Sequence, residues 1–352
     1  MFNILRPLIF SLNPEFAHRA AVNALALGAV PAQPHYNPPE LKVNIWNKTF
    51  GNPIGLAAGF DKHGECYPAL FDQGLGCVEI GGVTPLSQPG NPKPRLFRLT
   101  EDEAVINRMG LNSQGIEFCA RQLEKNGKQP GIVGINIAPN KDSNDWVSDY
   151  LTSFKRVKGL VDYISVNISS PNTPGLRSMQ SDDNLYELLI ALINERNQGL
   201  STHNNKTLPI LIKIAPDLSS EELEHIAQTC LNTKVDGVII SNTTLERPNL
   251  KSHFGHEKGG LSGKPLFALS TQTLKQFYQL TQGTIPLIGV GGISSSEEAY
   301  TKIKSGATLL QLYSALVFKG FGLVTQIKRD LVGLLEKDGF KDISEAVGAD
   351  CR

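Results

Sequence analysis

The sequence lacks most of the features that would set it outside the ordinary globular enzymes. Only five of its 352 residues are cysteine (Cys66, Cys77, Cys119, Cys230 and Cys351), and no two of them stand as C-x-x-C. An odd, scattered set argues against a disulfide scaffold or a cysteine zinc site and fits a reducing compartment. The seven histidines form no H-E-x-x-H. The one metal-like spacing, His253 and His256 beside Glu257, falls in a glycine-flanked stretch that reads as a solvated loop, so no metal is expected. Neither charge is in excess, since 34 Lys and Arg face 34 Asp and Glu. That argues against nucleic acid as a partner, because a phosphate backbone calls for a basic face. No apolar run reaches the roughly 18 residues needed to span a bilayer. The apolar N-terminus, MFNILRPLIFSL, lacks the small-residue cleavage pattern of a signal peptide.

What is present is a repeated unit. Short apolar runs recur at 53–58, 77–81, 132–137, 162–168, 209–215, 236–241, 286–290 and 307–313, most of them continuously apolar, as in PILIKIA and DGVIIS. Parallel strands covered on both faces read this way. Helical spacers separate them, such as SSEELEHIAQTCL and SSSEEAYTKIKSG, the second opening on a capping box, Ser294-x-x-Glu297. Eight such units predict an α/β fold, the (β/α)8 TIM barrel, over residues 41–352. Residues 41–50 predict a β-hairpin ahead of the first barrel strand, plugging the barrel's N-terminal end. Residues 1–40 form a separate helical segment with two short helices within 1–30. In the second, Asn13 caps, Pro14 takes the first position and Gly28 ends the helix. Its apolar side is broader than a loose appendage should expose.

A barrel of this kind does its chemistry at the C-terminal ends of its strands. Those ends carry Gly59-Phe60-Asp61-Lys62, Gly81-Gly82, Asn136, Asn167 through Asn172, Lys213, Ser241-Asn242-Thr243, Gly291-Gly292 and Tyr313-Ser314. A lysine inside an apolar strand, as Lys213 is, costs free energy unless it meets an anion, and neither neighbouring strand offers a carboxylate at its level. Lys62 reads as a second functional lysine or as a surface loop residue. Asn107, Asn112, Asn136, Asn167, Asn172 and Asn242 both donate and accept, so a convergent set suits a pyrimidine or a flavin ring. Singly, each is as good a turn residue. GVGGISSSEE resembles a phosphate cradle, with glycines for close backbone approach and a helix N-terminus behind them. Residues 171–183 are rich in Pro, Gly and Ser, as a lid or an ordinary loop would be.

Taken together, the segments AAGFDKHGE (57–65), QPGNPKPRLFRL (88–99), NRMGLN (107–112), VNISSPNTPGLR (166–177), KIAPDL (213–218), SNTT (241–244), GGLSGKPL (259–266), GVGGI (289–293) and QLYSALVFKG (311–320) resemble the dihydroorotate dehydrogenase family, in its membrane-associated, quinone-reducing class. The match runs from about residue 1 to the C-terminal EAVGAD. It implies FMN, one per chain, and oxidation of dihydroorotate to orotate in pyrimidine synthesis. The FMN contacts implied are Ala57, Ala58, Gly59, Phe60, Asp61, Lys62, Gly82, Asn136, Asn167, Lys213, Ser241, Gly263, Gly292, Tyr313 and Ser314. The substrate contacts implied are Lys62, Asn107, Arg108, Met109, Gly110, Leu111, Asn167, Asn172, Asn242 and Thr243, and Ser170 matches the catalytic base. Soluble members of the family use cysteine at that position, whose thiol ionises far more easily, so serine marks the class. The resemblance also implies a monomer held peripherally on the cytoplasmic face of the cell membrane by residues 1–30. These residues would open a quinone tunnel lined by Arg98 and His18, with Arg98 and Tyr313 at its inner end. His18 and Arg19 fit a headgroup-facing role or an ordinary polar helix face. Two departures stand out: Gly82 replaces a usual threonine, and IAPNKD (137–142) replaces a Gly-Lys-Asn run. Without the resemblance, two rivals stay open, a flavin-free lyase or isomerase acting on a sugar phosphate and a non-catalytic membrane-surface module.

Overall fold

The computed structural model describes residues 2–173, 175–180, 182–198 and 208–352. Of the loop expected over 171–183, Pro174 and Ser181 therefore lie outside the described residues.

Helices α1 (Phe2–Ser11) and α2 (Pro14–Ala26) open the chain. Asn13 caps α2 by accepting from the N–H of Glu15 at 3.0 Å. Pro14 occupies the first position, where a missing amide costs nothing, and Gly28 at φ +69° turns the chain away. The hairpin β1 (Val43–Ile45) and β2 (Lys48–Phe50) is antiparallel as expected. It closes the N-terminal end of the barrel. Trp46 Nε1 donates to the carbonyl of Asp236 at 2.8 Å and Lys48 pairs with Asp162 at 3.0 Å, both acids standing just before barrel strands.

The eight apolar runs become β3 (Ile54–Leu56), β4 (Cys77–Val83), β7 (Ile132–Ile137), β8 (Tyr163–Asn167), β9 (Ile210–Ile214), β10 (Gly237–Ile240), β12 (Leu287–Val290) and β13 (Ala307–Leu312). They pair in that order, all parallel, and β13 returns to β3 to close the barrel. Nearly every position on them is buried, because helices cover the outer face and side chains fill the inner one.

The sequence reading did not anticipate a three-stranded antiparallel sheet of β5 (Leu96–Leu99), β6 (Ala104–Asn107) and β11 (Gly260–Gly263). It has its own small core of Phe97, Leu99, Ala104, Ile106 and Leu261. A second difference lies after β12. The helix Ser296–Lys304 is capped by Ser295, which accepts from the N–H of Glu298 at 3.2 Å, one residue beyond the expected Ser294–Glu297 pair. A run of three serines offers three possible caps. The chosen register lets the Glu298 carboxylate reach back to both the N–H (2.7 Å) and the hydroxyl (2.8 Å) of Ser294.

Helix α2 is docked, not loose. Ala17, Val22 and Leu25 are buried, Glu15 pairs with Arg95 at 2.8 Å, and Arg19 pairs with Glu65 at 2.5 Å. Outward, Leu8 of α1, Phe16 of α2 and Leu27 just after it nonetheless stay exposed at 66, 62 and 83%. Among the described residues no helix is long and apolar enough to cross a membrane.

Candidate functional site

A cavity of about 890 Å³ runs from the inner faces of α1 and α2 to the C-terminal ends of the barrel strands. The strand-end residues singled out from the sequence meet here. Ala57 through Phe60, Lys62, Gly82, Asn136, Asn167, Lys213, Ser241, Gly263, Gly292, Tyr313 and Ser314 all line it. So do Asn107, Met109 through Leu111, Ser170, Asn172, Asn242 and Thr243. Two positions in the matching motifs turn elsewhere. The Asp61 carboxylate is wholly buried and accepts from the N–H groups of Glu65 and Cys66, both at 2.8 Å, so it shapes the loop that carries Lys62. The Arg108 guanidinium pairs with Glu257 at 2.6 Å and stacks on Phe97. Asn112 also stays off the cavity wall.

Asn136, Asn167 and Asn242 converge as one hydrogen-bonded chain, and Asn172 with Asn107 forms a separate pair beside it. Asn136 Nδ2 donates to Ser165 Oγ at 2.7 Å and to Glu79 at 3.3 Å, and Asn167 Nδ2 donates to Asn136 Oδ1 at 3.1 Å. Asn242 Nδ2 continues to Ser169 Oγ at 3.0 Å, while Asn172 Nδ2 donates to the carbonyl of Asn107 at 3.1 Å. The sequence reading missed the root of this chain, Glu79. Its buried carboxylate accepts from Asn136, Ser165 (3.0 Å), Tyr163 (3.0 Å) and Gln311 (2.9 Å). A lone acid in the apolar run CVEIG was the signal available.

Two cations face the cavity. Lys213 is 7% exposed and its ammonium has no hydrogen-bond partner among the described residues. Burial pulls its pKa below the usual lysine range, and the negative charge of Glu79 opposes that shift from inside the barrel. Half-buried Lys62 is pushed down to about 8, chiefly by burial and then by the nearby Arg95 charge, with Glu15 opposing. Both lysines are thus poised to gain from an anion or from charge developing on a ligand. Ser170 is buried, and its Oγ accepts from the N–H of Asn172 at 3.4 Å.

The loop beyond Ser170 is anchored over the site. Thr173, Leu176 and Met179 are buried, Arg177 pairs with Asp217 at 2.9 Å, and the N–H of Ala215 donates to Gln180 at 3.0 Å. At the other end, Gly291 and Gly292 sit at φ +104° and +78°. A Cβ on Gly292 would fall 2.5 Å from the backbone of Phe267, so only glycine lets this turn pack as it does. Gly82 is also tight. A Cβ there would come within 3.1 Å of Asn136 Oδ1 and 3.3 Å of Leu111, so a larger residue must displace one of them slightly. Asn140, in the other departing segment, bonds to both backbone groups of Leu86, at 2.9 and 3.0 Å, which ties 137–142 to the loop after β4.

Toward the N-terminal helices the lining becomes apolar, with Phe2, Leu5, Ile9, Ala17, Ala21 and Leu25. Arg98 lies across this end, its guanidinium 4.4 Å from the Phe10 ring centroid and donating to the Phe10 carbonyl at 3.0 Å. The His18 ring packs edge-on against Phe60 at 5.3 Å and beside Tyr313. Burial, and then the charge of Lys62, pull its pKa down to about 4, so it is neutral at physiological pH. The apolar arm and the polar mouth meet at Phe60 and Tyr313, whose ring centroids are 5.8 Å apart.

Comparison with known proteins points one way. A family model described as dihydroorotate dehydrogenase matches residues 40–335. Dihydroorotate dehydrogenase (quinone) of Xanthobacter autotrophicus is 50% identical over 357 aligned positions, covering 100% of this chain and 99% of the relative. The mitochondrial dihydroorotate dehydrogenase (quinone) of Oryza sativa subsp. japonica is 47% identical over 99% of this chain and 79% of its own length. Among solved structures, DHODH of Eimeria tenella in complex with ferulenol superposes with a TM-score of 0.92 at 37% identity, covering 98% of this chain and 99% of that one.

Proposed function

The chain belongs to the dihydroorotate dehydrogenase family, and from that premise we propose that it oxidises dihydroorotate to orotate with FMN and passes the electrons to a membrane quinone. One observation carries this reading: the unpaired, buried ammonium of Lys213 opens on the same cavity as Ser170 and the asparagine chain. A buried cation with no partner among the described residues calls for a ligand that is anionic or becomes so.

The donor set fits a flavin mononucleotide. Asn136, Asn167, Lys213 and Ser241 offer donors and acceptors for a ring of alternating N–H and C=O groups. Gly263, Gly292, Tyr313 and Ser314 surround a glycine turn suited to a phosphate. Ala57 through Lys62 and Gly82 complete the wall, Asp61 acting through the shape of its loop. Bound there, FMN supplies the acceptor that takes a hydride from the substrate and returns two electrons to a quinone.

The protein's own groups do the rest. Lys62 holds the substrate carboxylate. Asn107, Asn172, Asn242 and Thr243, with the backbone of Met109 through Leu111, hold the ring amides, and Arg108 braces that segment through Glu257. Ser170 Oγ takes the proton from the carbon alpha to the substrate carbonyl as its own hydroxyl proton passes on through a hydrogen-bonded relay to solvent. An alcohol is a weak base, so the hydroxyl must be fixed against that carbon, and the N–H of Asn172 helps to fix it. Lys213 supplies the positive charge that a ring gaining electrons requires. The apolar arm, with His18 and Arg98, admits the quinone. The exposed face of α1 and α2 lies in the membrane interface, on the cytoplasmic side, with the enzyme acting as a monomer.

A visible absorption spectrum tests the proposal. The purified protein is expected to be yellow and to bleach when dihydroorotate is added without oxygen. A colourless protein, or yellow protein that dihydroorotate does not bleach, would sink it and would favour a flavin-free barrel enzyme.

A further inference from the structure

Behind the turn Val290–Gly291–Gly292 lies a lysine that the proposed reaction does not use. Lys302, on the helix Ser296–Lys304, is wholly buried. Its ammonium donates to Ser270 Oγ at 2.6 Å and to the carbonyl of Val290 at 3.3 Å, and it lies 5.5 Å from the centroid of the Phe267 ring. No carboxylate among the described residues pairs with it. The acid whose field reaches it, Glu298, is engaged with the N–H and hydroxyl of Ser294. Burial accordingly drives its pKa well below the usual lysine range, against the pull of Glu298. An apolar side chain would fill this space at lower cost, so a lysine here needs a reason.

The acceptors that Lys302 holds supply that reason. Ser270 Oγ, which receives the lysine's hydrogen bond, lies 3.0 Å from the carbonyl of Gly291 and 3.2 Å from that of Phe267, and its one hydroxyl proton serves the shorter contact, to Gly291. Lys302 therefore grips two successive peptide groups, Val290–Gly291 directly and Gly291–Gly292 through Ser270. In a trans peptide the N–H points opposite to the C=O. The N–H groups on the far side of these two peptides belong to Gly291 and Gly292, both of which line the cavity. A cation bound at the carbonyl end polarises the peptide and strengthens its N–H as a donor. Its charge, buried in a poorly screening interior, also reaches an anion beyond the turn.

We propose that Lys302 is a positioning residue for the cofactor's phosphate: by holding the carbonyls of Val290 and Gly291 from behind, it presents the N–H groups of Gly291 and Gly292 to an anion and makes the site prefer FMN over uncharged riboflavin. The inference rests on reading the cavity as a flavin site. In return, the phosphate gives the buried ammonium the counter-charge that the protein itself withholds.

The test is to strip the full-length protein of flavin and titrate it with FMN and, separately, with riboflavin, following the quenching of flavin fluorescence. Lys302→Met is expected to weaken FMN by roughly tenfold or more, the loss typical of removing one buried charge contact, and to leave riboflavin unchanged. Ser270→Ala, which breaks only the relay to Gly291, is expected to lose a smaller part of the same preference. It decides the question if the lysine variant does not fold. An unaltered ratio of the two affinities, or an equal loss for both flavins, would reduce Lys302 to a packing role and overturn the inference. Wild-type protein that binds neither flavin would instead refute the cofactor reading on which it stands.

Discussion

Asn167 and Lys213 are register partners on the adjacent strands β8 and β9, and both open on the same cavity. The pairing leaves Lys213 facing an amide, not a carboxylate, so the cost of burying its charge is unrelieved except through the field of Glu79. Such a residue should trade stability for function. Replacing Lys213 with Met is expected to raise the stability of the flavin-free protein by about 1 kcal/mol or more. It should also slow substrate-driven flavin reduction by roughly 10²- to 10³-fold, the usual effect of losing one electrostatic contact in an active site. Urea unfolding and anaerobic stopped-flow measure the two effects. A destabilised variant would show that Lys213 has a structural partner.

Ser170 is the proposed base, and its removal should separate binding from chemistry. Ser170→Ala is expected to keep bound FMN and dihydroorotate affinity within a few-fold while slowing anaerobic bleaching by about 10²- to 10⁴-fold, the span of general base catalysis. Bleaching at the wild-type rate would remove Ser170 from this role. Because the side chain is buried and, among the described residues, takes one hydrogen bond, from Asn172, its loss should disturb the loop little.

How far the sequence could be read depended on whether a residue's neighbours along the chain were also its neighbours in space. The barrel strands were legible because a doubly covered parallel strand is apolar at every position, and the hairpin and α2 because their turn and cap residues are local. The sheet of β5, β6 and β11 was not, since Gly260–Gly263 pairs with Ala104–Asn107 across some 150 residues of chain and carries little apolar signal of its own. The site was legible mainly through its motifs, which name positions without saying how they act. Asp61 and Arg108 stand inside matching motifs yet shape loops instead of lining the cavity. Glu79 escaped notice although it breaks an apolar strand just as Lys213 does. Lys302 escaped because burial of a helical lysine depends on what packs over it.

Lys62 offers a pH test with a definite sign. Its pKa in the free protein is pushed down to about 8, and only the protonated form attracts the substrate carboxylate. As pH rises through about 8 the charge is lost, so kcat/KM for dihydroorotate should fall about tenfold for each further pH unit. The Arg95 charge is part of the cause, so Arg95→Met should move this break upward. Lys62→Arg should abolish it, because a guanidinium stays charged across the range. A wild-type profile flat to pH 9.5 would refute the assignment.

The outward face of α1 and α2 makes the last prediction. Leu8 and Phe16 are exposed at 66 and 62% while Ala17, Val22 and Leu25 on the other side are buried, so the two faces are mutated independently. Each large apolar side chain that leaves water contributes roughly 1.5–3 kcal/mol, so Leu8→Asp with Phe16→Asp should lower vesicle affinity by about 10²-fold or more. The docked face keeps its ion pairs, Glu15 with Arg95 and Arg19 with Glu65, so the fold and the catalytic cavity should survive. Turnover with a water-soluble dye should therefore persist, while turnover with a long-chain quinone in vesicles collapses. Sedimentation with lipid vesicles and the two activity assays read these outcomes separately. Undiminished vesicle binding would place the membrane contact elsewhere. Loss of dye turnover as well would mean that α2 supports the cavity itself, through Arg95 and the loop of Pro89 and Asn91 whose carbonyls that arginine holds.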